Sequence, residues 1–201
     1  MFQKAILSGL IAATLSLSSL QAHDHGDKAG AVYTIDTVHS GVSFKIRHLL
    51  TRVPGSFGKF EGFAKVPGDD WSKAYVEAKI DLRSVDTNNA DRDKHLQQDD
   101  YFNTAQHPMM TFKSTKWVPV QGKEGHFTIH GELTMNGKTL PVEFAAEFLG
   151  KKTNPRNQQT ALAFTASGEI DRTDWDVDGG QGVVGNDVDF EIDVALYAKQ
   201  A

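Results

Sequence analysis

The chain has 201 residues, of which 39% are hydrophobic and 23% are charged; this balance suits one globular domain and excludes a fully disordered chain. Its formal net charge of -5 provides no basic excess for a phosphate backbone, so nucleic-acid binding is not expected. The chain has no cysteine, which excludes thiolate chemistry, disulfides and cysteine-ligated metal centres. Histidines and carboxylates are left as the ordinary side-chain metal ligands.

The first 22 residues have the character of a secretory signal. Lys4 precedes an uncharged, mostly apolar stretch from Ala5 to Leu20, and Gln21 and Ala22 follow it. Serine, threonine and glycine interrupt this stretch, so it is a poor membrane anchor. We therefore expect a signal peptide at 1–22, a flexible tail at 23–31, one folded domain at 32–201 and a periplasmic location.

Cleavage after Ala22 would place two histidines at the new amino terminus. The mature chain would begin His23-Asp24-His25, and a free amine followed by a histidine at the third position can supply nitrogens to a square-planar Cu(II) or Ni(II) ion. A disordered tail without function is the other interpretation. A copper-binding protein that uses His23 and His25 is therefore the alternative function.

Alternation of apolar and polar residues predicts strands along the rest of the chain, because successive side chains of a strand point to opposite faces. Asn136-Gly137, between two such segments, is a strong hairpin signal. After a short lead-in at 32–36, we count about eight strands, at 42–48, 60–66, 76–82, 110–113, 127–135, 140–148, 162–170 and 188–196.

One segment departs from this alternation. Residues 88–102 are rich in Asp, Lys, Gln and Leu and follow candidate caps at Thr87 and Asn88, which predicts a helix of a few turns between strands three and four. Arg92 and Asp93 are expected to anchor this helix over one end of the fold by hydrogen bonds. A metal site on the helix is not expected.

Antiparallel strands with one apolar face each favour an all-β barrel, because closure removes exposed strand edges. The apolar face includes small residues, and a barrel of eight strands can hold either side chains or one ligand. Those small residues indicate either a cavity or a core in which they interdigitate with phenylalanines. They are Ala64, Ala78, Gly131, Ala146, Ala166 and Gly168.

Residues on the inward face are the candidate ligand-binding residues, although core packing is the ordinary role of each one taken alone. His48 ends a strand on this face and could hydrogen-bond a ligand head group near the mouth of the barrel. The candidates are Phe44, Ile46, His48, Val76, Ile80, Phe112, Leu133, Phe144, Phe164, Phe190 and Ile192.

Catalysis is not expected. His39 and Ser40 are adjacent, but neighbouring residues on a strand point to opposite faces, and the chain lacks a Gly-x-Ser-x-Gly nucleophile elbow. The glycine-rich run 179–182 lacks the strand-loop-helix context of a phosphate loop and is interpreted as a long hairpin loop.

Six short segments follow one another along the chain: YTID at 33–36, VSFKIRH at 42–48, GSFGKFEG at 55–62, SVDTNNADRDKHL at 84–96, GELTMNG at 131–137 and GEIDR at 168–172. In these segments and in their order the chain resembles the YceI-like, polyisoprenoid-binding periplasmic family from about residue 32 to residue 198, and the match is strongest at 84–96.

This resemblance implies an extended, lipocalin-like antiparallel barrel whose lumen takes a long isoprenoid, such as a quinone tail, or a similar amphiphile. It implies no covalent cofactor and no reaction. Members of the family are often dimeric, so a homodimer is a further expectation. Ala64 and Val66 stand where the family often has larger residues, which leaves ligand length and head group open.

Overall fold

The computed structural model describes residues 31–198 and contains, within that range, eleven strands and one α-helix. The predicted signal peptide and the tail up to residue 30, which includes His23 and His25, lie outside the described residues, so those predictions remain predictions. The elements are β1 (Ala31–Ile35), β2 (Gly41–His48), β3 (Thr51–Phe57), β4 (Phe60–Val66), β5 (Tyr75–Asp81), β6 (Val85–Asp86), α1 (Ala90–His95), β7 (Met109–Pro119), β8 (His126–Met135), β9 (Lys138–Thr153), β10 (Thr160–Asp171) and β11 (Val184–Ala198).

Eight of the strands form a closed antiparallel ring. Their order is β1–β4–β5–β7–β8–β9–β10–β11, and β1 closes the ring on β11, where Tyr33 lies opposite Ala198 and Ile35 opposite Leu196. The predicted class, an all-β barrel of eight antiparallel strands, is confirmed. The lead-in at 32–36 is β1, a full member of this ring.

Three strands extend the wall at one end of the barrel. β11 pairs with β1 near its C-terminus and with β2 closer to its N-terminus, and β3 and β6 continue the sheet beyond β2. The turn between β2 and β3 is formed by Leu49 and Leu50. Leu96 and Phe102, which follow α1, pack against the core at this end.

The predicted position and length of the helix are wrong. The helix follows β6 in the observed order of elements, because two strands that alternation did not predict, β3 and β6, precede it. It spans only Ala90–His95, because the chain after Leu96 turns back on itself and Phe102 N–H donates to the Leu96 carbonyl at 3.0 Å. The helix cap is Asn89, whose side chain accepts from Arg92 N–H at 3.0 Å, and neither Thr87 nor Asn88 caps it.

The small inward residues divide into two groups. A Cβ on Gly131 would lie 2.3 Å from the Phe112 ring, and a Cβ on Gly168 would lie 2.7 Å from the Phe144 ring, so both glycines make room for aromatic side chains. Ala64 is fully buried in the core. The remaining three, Ala78, Ala146 and Ala166, line an interior cavity.

Replacing Gly131 with alanine should therefore destabilise the barrel. The added methyl group would collide with Phe112 and with the Lys113 carbonyl at 2.7 Å, and overpacking of this kind costs about 1–3 kcal/mol of unfolding free energy. Urea unfolding followed by circular dichroism measures this loss. Gly41→Ala is the matched control, because a Cβ at Gly41 meets no atom within 4 Å. Equal stability of the two variants would contradict the packing described for Gly131.

Candidate functional site

Two adjoining cavities occupy the barrel interior. The first, here called the apolar cavity, has a volume of about 140 Å³ and is lined by hydrophobic side chains alone. The second, the mouth cavity, has a volume of about 210 Å³ and lies at the end that carries the β2–β3 hairpin. Met110 and Phe190 line both cavities, so these two side chains form the boundary between them.

All eleven residues predicted from alternation line one of these cavities. Phe44, Ile46 and His48 line the mouth cavity, and Phe190 lines both. The other seven line the apolar cavity: Val76, Ile80, Phe112, Leu133, Phe144, Phe164 and Ile192. The alternation of inward and outward side chains along each strand therefore identified residues that line the interior. Their role in ligand binding stays a prediction.

Trp117 lines the apolar cavity but was not identified from the sequence. The pairing of β7 with β8 shifts register between Ser114 and Lys116, so inward residues change from even to odd numbers along β7. Trp117 is packed against the rings of Trp71, Phe127 and Phe164, with centroid distances of 5.7, 5.5 and 5.8 Å. A bulge of this kind leaves no signal in simple alternation.

The mouth cavity is lined mostly by apolar side chains but also by a few polar and charged ones. Arg172 is 3% exposed; its Nε donates to the Gly185 carbonyl at 2.9 Å, and its terminal nitrogens donate to the carbonyls of Val177 and Val184. Tyr101 lies beside this guanidinium, and burial raises the pKa of the Tyr101 phenol, although the positive charge of Arg172 opposes that rise. A buried cation therefore faces this end of the lumen.

Arg92 and Asp93 anchor the helix segment, as predicted. Arg92 Nε donates to the Thr87 hydroxyl at 2.7 Å, and its Nη2 donates to the Thr87 carbonyl at 2.6 Å. Asp93 accepts from the Thr87 N–H at 2.9 Å and from the Thr87 hydroxyl at 2.5 Å. This network holds Arg92 in the lining of the mouth cavity, which the exposed His95 and His48 also line.

The geometry does not arrange His39 and Ser40 as a base and a nucleophile. His39 Nδ1 lies 2.6 Å from the Asp36 carboxylate, which lowers the pKa of that carboxyl. The Ser40 hydroxyl accepts from Ala195 N–H at 2.9 Å. Each group therefore has its own structural partner, and neither lines the two cavities.

The described part of the chain shows neither a cluster of metal ligands nor a membrane-spanning helix. Residues 31–198 hold no group of three or more His, Asp or Glu side chains placed to bind a metal ion. No helix in that range is long and apolar enough to cross a membrane. His23 and His25 lie outside it, so the copper hypothesis remains a prediction.

Comparison with known proteins places the chain in one family. A family model described as the YceI-like domain matches residues 33–196. "Protein YceI" of Escherichia coli O157:H7 is 36% identical over 194 residues, which cover 95% of this chain and 96% of that protein.

Solved structures share the fold. BcnA of Burkholderia cenocepacia superposes with a TM-score of 0.71 at 20% identity, over 80% of this chain and 98% of that one. A domain from Saccharophagus degradans, described as polyisoprenoid-binding and implicated in plant cell wall breakdown, superposes with a TM-score of 0.64 at 16% identity, over 84% and 99% of the two chains. With the family model spanning the barrel and a relative 36% identical along nearly its full length, the chain belongs to the YceI family.

Proposed function

We propose that this protein binds and carries a long-chain isoprenoid, or a similar amphiphilic lipid such as an isoprenoid quinone, in the barrel lumen, in the periplasm and without catalysing a reaction. The observation that carries the proposal is the pair of adjoining cavities inside a closed barrel, one of which is lined by hydrophobic side chains alone. The closed ring of eight strands surrounds these cavities, so an apolar ligand that enters them leaves water.

The apolar cavity suits a prenyl tail. Each methylene group that moves from water into such a cavity gains about 0.8 kcal/mol, so a long tail provides a large driving force without any hydrogen bond. A tail that occupies both cavities must pass Met110 and Phe190. Methionine is unbranched and adapts its shape readily, so the boundary can open without displacement of a strand.

The mouth cavity suits the polar end of the same molecule. Arg172, Arg92 and His48 supply donors or positive charge there, whereas the apolar cavity supplies no polar surface. A head group with hydrogen-bond acceptors, such as the carbonyls of a quinone or an anionic oxygen, would be stabilised at this end. We therefore place the tail in the apolar cavity and the head at the mouth.

Two further observations support the proposal. The structural relative from Saccharophagus degradans is described as binding polyisoprenoids, and its fold is that of this chain. The amino-terminal order of charge and apolar residues is that of an exported protein, which supports a periplasmic location.

The protein purified from its periplasm should therefore contain a prenyl lipid. We expect organic extraction and mass spectrometry to show an isoprenoid at a stoichiometry near one per barrel, because the barrel has one interior and its inner cavity is lined by hydrophobic side chains alone. A periplasmic protein purified in parallel controls for lipid carried over from the membrane. Protein that is empty after gentle extraction, and that also takes up no prenyl lipid from detergent micelles, would contradict the proposal.

A further inference from the structure

The tip of the β2–β3 hairpin exposes apolar side chains. Leu49 is 60% exposed and Leu50 is 92% exposed, the largest fraction among the exposed large hydrophobic residues of the described chain. Val183, which is 44% exposed, lies beside them, because Leu49 N–H donates to the Val183 carbonyl at 2.8 Å. We call Leu49, Leu50 and Val183 the apolar tip.

Folding alone does not account for leucine at this turn. Leu49 has a φ of +50°, a left-handed conformation that asparagine and glycine adopt more easily than leucine. The turn between β8 and β9 has the favoured residues, Asn136 and Gly137, at φ values of +48° and +77°. The β2–β3 turn therefore has a leucine, Leu49, where the backbone favours asparagine or glycine, and a second exposed leucine, Leu50, directly after it.

The strands that lead to the tip carry cations. Arg47 lies directly opposite Arg52 across the β2–β3 pair, an arrangement in which like charges repel each other. Asp189 pairs with Arg52, and Glu191 pairs with Lys45 at 2.7 Å. Arg47, by contrast, has no carboxylate at ion-pair distance within residues 31–198.

The tip adjoins the entrance to the lumen. His48, which precedes Leu49, lines the mouth cavity, and so do Val53 on β3 and Val184, which follows Val183. Apolar side chains next to positive charges are the composition by which a protein segment enters the headgroup region of an anionic membrane.

We propose that the apolar tip inserts into the surface of a bilayer that contains anionic lipids and thereby holds the mouth of the barrel against the membrane, where the isoprenoid enters or leaves. The occupant of this surface is a lipid bilayer, because Arg47, which has no carboxylate at ion-pair distance within residues 31–198, lies next to two exposed leucines and complements a surface that is both negative and apolar. The purpose of this docking, which is to load or unload the isoprenoid, rests on the proposed lipid-carrier function. The binding of the tip to a membrane can be measured on its own.

Vesicle flotation with the purified exported protein tests the insertion. We expect the protein to float with vesicles of phosphatidylcholine and phosphatidylglycerol, and the double variant Leu49→Asn/Leu50→Ser to bind them at least about tenfold more weakly, because two apolar side chains no longer leave water. Leu149→Ser is the matched control, since Leu149 is 56% exposed but lies on β9, outside the tip and both cavities. It should bind as the unmodified protein does.

The melting temperature separates this role from a structural one. Asparagine suits the left-handed position of Leu49, so the double variant should melt at the same or a higher temperature. A clear loss of thermal stability would show that the leucines serve the fold and would overturn the proposal. Loss of a dimer in sedimentation, with vesicle binding unchanged, would overturn it in favour of a second copy of the chain on the tip.

Arg47→Gln tests the electrostatic part. Each cation near an anionic surface strengthens binding by about fivefold, so this variant should bind the mixed vesicles about fivefold more weakly and bind pure phosphatidylcholine vesicles unchanged. The difference should shrink as salt is added, because salt screens exposed charges. An equal effect on both kinds of vesicle would contradict the charge argument.

Two readouts distinguish failure of this inference from failure of the carrier function. The Leu49→Asn/Leu50→Ser protein should take up a prenyl quinone from detergent micelles as the unmodified protein does, yet acquire it more slowly from vesicles. If the double variant took up the quinone slowly from both micelles and vesicles, the leucines would be acting in ligand binding inside the lumen, and the docking role would be overturned. If the unmodified protein bound vesicles but took up no prenyl quinone from micelles, the proposed carrier function would be contradicted and the proposed docking surface would still stand.

Discussion

Ala146→Phe should empty the barrel of lipid while leaving it folded. Ala146 is buried and lines the apolar cavity, whose volume is about 140 Å³. An apolar cavity of about 150 Å³ takes up benzene, so the phenyl ring of the variant has room in the space that the prenyl tail would use. We expect native-like β circular dichroism, an equal or higher melting temperature and a loss of most of the co-purifying isoprenoid.

The neighbouring residue provides the control for this substitution. Ala145 lies one position earlier on β9 and is exposed on the outer face, so Ala145→Phe adds the same ring without entering the lumen. It should retain the lipid content of the unmodified protein. If Ala146→Phe instead lowered stability by about 1–3 kcal/mol and the unmodified protein contained no lipid, the interior would be a solid core.

The lining of the lumen could be predicted from the sequence because strand parity is a local property. Phe144 and Phe164 lie on strands that pair over many residues, and each inward residue follows from its neighbour two positions away. Ala146, on the same parity, could be assigned to the inward face but not to a cavity. Whether a small residue faces empty space or an aromatic ring depends on strands far away in the sequence.

The elements that were missed depend on such distant contacts. β3 contains Pro54 and Gly55, which interrupt its alternation, and Gly55 is needed because a Cβ there would lie 2.3 Å from the Phe44 ring. Trp117 was missed because a register shift in β7 reverses the parity. The sequence shows the residues involved but not the neighbours that explain them.

The polar end of the lumen was the least predictable part. Arg172 was recognised only as a member of a family motif, since its role depends on carbonyls of Val177, Val184 and Gly185 that come together after folding. These carbonyls belong to the chain that leads from β10 to β11 and to the first residues of β11. One buried side chain thus holds this connection against the barrel wall.

Arg172→Met should be the most destabilising single substitution proposed for this chain. Methionine keeps much of the length of the side chain but leaves three carbonyl groups without their charged donor, and a hydrogen bond to a charged group contributes about 1.5–3 kcal/mol. Since one of the three bonds is long, at 3.4 Å, we expect a loss of about 3 kcal/mol or more in the free energy of unfolding. Urea unfolding at neutral pH measures it.

Two further variants show whether the effect comes from the guanidinium. Arg156→Met removes a charge from an exposed position in the loop between β9 and β10 and should change the unfolding free energy by less than about 0.5 kcal/mol. Arg172→Lys keeps the positive charge but not the planar fork that reaches several carbonyls, so it should recover only part of the loss. If Arg172→Lys were as stable as the unmodified protein, charge alone would hold this connection. If Arg172→Met were as stable as Arg156→Met, the carbonyls would have to find other donors, and the buried cation would have no role in closing this end of the barrel.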